Sequence, residues 1–162
     1  MPEFDDLAGV DFALVAYREE NVWRVEELPD DRLTDVTMLA AELRRWPGDF
    51  GSIGLVSVDE EFFILARVAG DRTQLLLSDV TAATEWPLAR SVVDALELPV
   101  PVEEDEQLPA GDLGILADLG YPAMDMGALL DDYESYPDEL LSEIAHRLGF
   151  GALFEDALGV TA

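Results

Sequence analysis

A chain of 162 residues is long enough for one ordinary core, or for one domain with a helical appendage. Its 36 acids face 9 arginines and no lysine, a formal net charge of −27, and a field of that sign repels phosphate backbones while drawing in basic protein surfaces. With 49% of residues apolar the chain is not globally disordered, and with no cysteine it has no disulfide, no thiolate metal site and no cysteine nucleophile.

The acidity also has a plain reading: lysine-free, acid-rich composition can reflect a proteome-wide bias, with charge serving solvation alone. The opening MPEFDDLAGVDF lacks a basic segment and a long apolar run, and no stretch approaches the roughly 20 apolar residues of a membrane span. A cytoplasmic protein is expected.

Along the chain, Phe12, Leu14 and Ala16 alternate with Ala13, Val15 and Tyr17, a strand with two buried faces. Glu19, Glu20 and Asn21 turn it into Val22–Leu28, where Trp23 and Val25 face away from Arg24 and Glu26, so the two form a hairpin. Asp30 or Asp31 then caps a helix carrying Leu33, Val36, Leu39, Ala40, Leu43 and Trp46, ended by Pro47 and Gly48. Three strands follow with tight connections, Ile53–Val58, Glu61–Val68 and Arg72–Ser78. The middle one has apolar residues on both faces and should be central. Asp79–Leu98 is helical and broken at Pro87, which can open a second helix with Leu88, Val92 and Leu96.

Short connections force antiparallel pairing. The expected fold is α+β: a five-stranded antiparallel sheet in the order strand, strand, helix, three strands, helix, which is also the order of profilin-like and roadblock-like sheets. Residues 1–98 form this sheet domain. Residues 99–110 read as a linker, with three prolines and the acidic run Glu103, Glu104, Asp105 and Glu106.

Residues 111–162 read as a helical segment. Leu113, Leu116 and Leu119 follow a capping Asp112 and stop at Gly120; Pro122 leads a second helix with Met126, Leu129, Leu130 and Tyr133 on one face. The clearest helix has a capping pattern at Ser135 and Asp138, Pro137 in its first turn, and Leu140, Leu141, Ile144, Ala145 and Leu148 as its stripe before Gly149. A short helix, Leu153–Leu158, closes the chain. This shorter second part is the more acidic: residues 99–162 carry 15 acids and one arginine, net −14, against net −13 for residues 1–98.

GDLGILADLG, followed after a gap by LLSEIAHRLGFGALFEDAL, resembles the actinobacterial family labelled tRNA adenosine deaminase-associated protein. The first half is similar to it in order and length, including the segment SDVTAATEWPLA. The resemblance implies association with a deaminase and assigns the chain no activity of its own.

The residues themselves offer little chemistry. A tRNA adenosine deaminase needs zinc on one His and two Cys with a Glu as proton shuttle; this chain has one His and no Cys, so it is not the deaminase. His146, beside Arg147 in the last turn of a helix, suits the helix dipole and has no second imidazole to make a metal site. Acid pairs such as Asp131 and Asp132 match no calcium loop. No catalytic residue, cofactor or metal is therefore expected. The expected function is that of a non-catalytic acidic accessory protein, binding a protein partner such as the tRNA adenosine deaminase on its basic surface. Glu103–Glu106 and the aromatics Tyr121, Tyr133, Tyr136 and Phe150 are the candidate contacts, although packing in the core is the simpler role for the aromatics. The alternative is a self-associating module, a homodimer with no link to the enzyme.

Overall fold

A computed structural model of the chain describes residues 10–28, 35–46, 48, 51–98, 108–132 and 135–158. The first hairpin joins β1 (Val10–Glu19) to β2 (Val22–Glu27) through Glu20 and Asn21, at φ 51° and 68°. Two successive left-handed residues give a two-residue turn whose twist follows that of the strands. Next, α1 (Val36–Leu43) starts on Asp35, whose carboxylate accepts the Thr37 N–H at 2.6 Å. Asp30 and Asp31, the expected caps, lie outside the described residues.

The meander follows as β3 (Ser52–Val58), β4 (Phe62–Ala69) and β5 (Arg72–Leu77). Its first turn again has two positive φ values, at Asp59 and Glu60. Asp11 of β1 braces that turn: its carboxylate accepts the Glu60 N–H at 2.7 Å and the Ser57 hydroxyl at 3.0 Å. A 3-10 turn over Val80–Thr84 then leads to α2 (Pro87–Ala95), with proline at its first position as expected.

The sheet has six strands, not the five expected. Ala110–Gly111 forms β6, pairing antiparallel with Leu77 and Leu76 of β5, and the order is β2-β1-β3-β4-β5-β6 with every pair antiparallel. Two residues carry no alternation, so nothing in the sequence marks them as strand. The profilin-like and roadblock-like analogy, drawn from element order, is not matched as drawn because of this added strand.

Alternation along the inner strands sends two apolar sets to opposite faces. On one face Val15, Val56, Ile64 and Leu75 meet Leu39 and Leu43 of α1 and Val92 of α2. Gly54 makes room for α1, since a Cβ there would stand 3.2 Å from a Leu43 methyl. On the other face Leu14, Leu55, Leu65 and Leu76 meet the chain beyond residue 112.

That chain begins with tight turns in place of the first helix expected. Asp112 accepts the Gly114 N–H at 2.8 Å, a 3-10 turn spans Ala117–Leu119, and Gly120 at φ 112° ends it. Then come α3 (Ala123–Leu130), α4 (Pro137–Leu148) and α5 (Gly151–Leu158). The α4 cap is shifted by one residue from the expectation: Glu139 reaches back to accept the Tyr136 N–H at 2.8 Å, while the Ser135 hydroxyl donates to Asp132. Trp23 of β2 ties down the far end of α4, its indole N–H donating to the Leu148 carbonyl at 3.0 Å and its ring centroid lying 4.7 Å from that of Phe150. Among the described residues no helix is long and apolar enough to cross a membrane.

Candidate functional site

The helices α3 and α4 pack their apolar stripes on the sheet, and what they turn outward is acidic. Between them lies a groove of about 510 Å³ whose walls include Asp125, Asp132, Glu139 and Glu143, with Arg147 as the one cation among the described residues that line it. Arg147 is already committed: its guanidinium donates to Asp125 at 2.6 Å and sits 5.0 Å from the centroid of the Tyr121 ring. It therefore clamps α4 to α3, while Asp132, Glu139 and Glu143 are exposed, the first two also accepting the Ser135 hydroxyl and the Tyr136 N–H. Tyr121 closes the floor, 2% exposed, and burial first, then the neighbouring Glu143 charge, push its phenol pKa up. At the N-terminal ends of the two helices Met124 and Tyr136 stand 85% and 58% exposed.

The candidate contacts separate accordingly. Tyr136 is a surface aromatic beside the groove. Tyr121 and Phe150 are buried, Phe150 beneath Trp23. Tyr133 and Glu103–Glu106 lie outside the described residues. Sequence reasoning missed the groove acids Asp125, Glu139 and Glu143 as a set; their helical offsets put them opposite the apolar stripe, and that signal was present. His146 is bonded to Glu155 at 2.9 Å, and that hydrogen bond holds the Glu155 carboxyl below its usual range. Among the described residues no group of three or more His, Asp or Glu is placed to hold a metal ion.

A second concavity lies at the end of the sheet around the β4–β5 turn, about 820 Å³. Arg67 forms part of its wall and is only 5% exposed; it donates to both carboxylate oxygens of Asp118 and to the Ile115 carbonyl at 2.9 Å. The Arg67 hydrogen bond is the main reason that the Asp118 carboxyl pKa is lowered.

Comparison with known sequences decides the kinship. The pattern of the Rv3753c-like tRNA adenosine deaminase-associated protein family matches residues 11–151. The chain belongs to that family. Within it, this chain is 38% identical to Protein Rv3753c of Mycobacterium tuberculosis over 142 residues, covering 86% of this chain and 82% of the relative. No solved structure matches. The match takes in β1 through α4, hence the groove and the sheet-end cleft alike.

Proposed function

We propose that this chain is a non-catalytic accessory protein that associates with a tRNA adenosine deaminase, offering the acidic groove between α3 and α4 to the basic surface on which such an enzyme holds RNA. The observation that carries the reading is the membership of a family named for that association, in a chain whose most acidic helical part leaves Asp132, Glu139 and Glu143 facing outward. Acids steer a basic partner to the site and set the rate of encounter; Tyr136 and Met124 beside them supply apolar anchors. The absence of catalysis is supported by composition, since one histidine and no cysteine leave no means to build the zinc site of a deaminase. A cytoplasmic location fits such a partner.

The test is titration of the purified deaminase with this chain at low and at moderate salt, by calorimetry or pull-down. Micromolar association that weakens with salt is expected, and the double reversal Glu139→Lys with Glu143→Lys should lower it roughly tenfold, mainly by slowing association. No association, or association indifferent to both salt and reversal, would refute the reading. A second reading, self-association, is favoured by one feature: β2 ends the sheet, no described strand pairs with its outer edge, and Val22 on it is 53% exposed. Light scattering on the isolated chain separates the two, a stable dimer through β2 supporting the second.

A further inference from the structure

The cleft at the end of the sheet is a reversal of the molecule's charge. Among the described residues that line it are three arginines, Arg44, Arg67 and Arg72, and one acid, Asp118. Asp118 is occupied by Arg67, so the pair is neutral and Arg44 and Arg72 remain as net positive charge. Arg44 donates to the Thr73 hydroxyl at 3.0 Å and, like Arg72, makes no ion pair with any described residue.

Their arrangement narrows the ligand. Thr73 pairs with Val68, which belongs to the face covered by α1 and α2, so Arg44 approaches the hairpin from that face. Strand alternation sends Arg72 to the opposite face, with Arg67 and Asp118. The two guanidiniums thus flank the β4–β5 turn from its two sides, in one continuous cleft, and a ligand engaging both must present two anionic groups. Guanidinium forks match carboxylate and phosphate oxygens alike, and a phosphate group offers three such oxygens and up to two charges to each fork. Trp46 also lines the cleft, giving an aromatic wall, with its indole N–H buried away from solvent. The volume is that of an ordinary small-molecule site.

We propose that this cleft binds a small phosphate ester carrying at least two phosphate groups, of nucleoside-diphosphate size, with Arg44 and Arg72 each taking one anionic group. The long-range repulsion of the acidic body is screened beyond about 8 Å at physiological salt, so local charge governs binding at the cleft. This site is separate from the groove between α3 and α4 and does not rest on the proposed partner.

Calorimetric titration of the full chain with ADP, AMP, adenosine and citrate tests it. ADP is expected to bind, AMP and citrate more weakly by roughly tenfold, and adenosine not at all within the range measured. Arg44→Ala and Arg72→Ala should each bring ADP down to the level of AMP. Arg44→Lys should recover only part, because the fork is lost while the charge is kept. Arg90→Ala, which removes the same charge from an exposed site on α2, should bind ADP as the parent does. Both alanine variants remove exposed side chains, and thermal melting confirms that they are folded. Failure of ADP to bind, equal binding of ADP and citrate, or an equal loss in Arg90→Ala would each overturn the proposal.

Discussion

Asp118→Asn probes the buried cation on which the end of the sheet is built. Arg67 has 6% of its side chain exposed and, among the described residues, takes its counter-charge from Asp118, with a further bond to the Ile115 carbonyl. Removing one member of a fully buried ion pair costs about 3–5 kcal/mol. Here Asp118 is 57% exposed, and solvent screening brings the expected cost down to about 2 kcal/mol. For a chain of this size that is a fall in Tm of roughly 4–8 °C. Because the folded-state pKa of Asp118 lies below its unfolded value, its contribution is full above the ordinary carboxylate pKa and is lost as pH falls through the folded one. The stability difference between parent and Asp118→Asn, from urea titrations at a series of pH values, should therefore be constant near neutrality and shrink only in strong acid. The double variant Arg67→Met with Asp118→Asn should recover most of the loss, having no buried charge left to satisfy. The reasoning fails if the single variant lies within about 0.5 kcal/mol of the parent, or if the double variant is no more stable than the single one.

Gly111→Ala should unseat β6. Gly111 sits at φ 112° and a Cβ would stand 2.2 Å from the Leu75 carbonyl oxygen, so a loss of about 2–3 kcal/mol is expected, with faster amide exchange at Asp112, whose N–H bonds that oxygen. Trp23→Phe removes the bond to the Leu148 carbonyl and part of the stack on Phe150, for about 1–2 kcal/mol in a urea titration.

Much of the architecture was legible. Both faces of β1 and β4 could be read from uninterrupted apolar alternation, and Pro87 and Pro137 start helices where a missing N–H does no harm. What could not be read is set by distant contacts. Gly111 opens the segment GDLGILADLG, yet that it lies beside β5 as a strand depends on contacts such as the Asp112 N–H to the Leu75 carbonyl, far back along the chain. Asp112, Leu113, Leu116 and Leu119 have helical spacing, but the carboxylate of Asp112 draws the chain into a tight turn at Gly114. For the site, the acidic surface was visible as composition; its shape was not, because the Arg147 clamp on Asp125 fixes which acids are left to solvent. The arginine cleft left no local trace, since Arg44, Arg67 and Arg72 are brought together only by the end of the sheet.

Because the central strands are greasy on both sides, the sheet needs two lids. One is made by helices before residue 98 and the other by everything after residue 112. A fragment ending at the acidic stretch would display Ile53, Leu55, Phe63 and Leu65 as a bare plane, and it would clump or borrow a cover from another molecule. The helices that carry the acids are thus also a roof, and nature cannot shed them to switch the protein off without dismantling it.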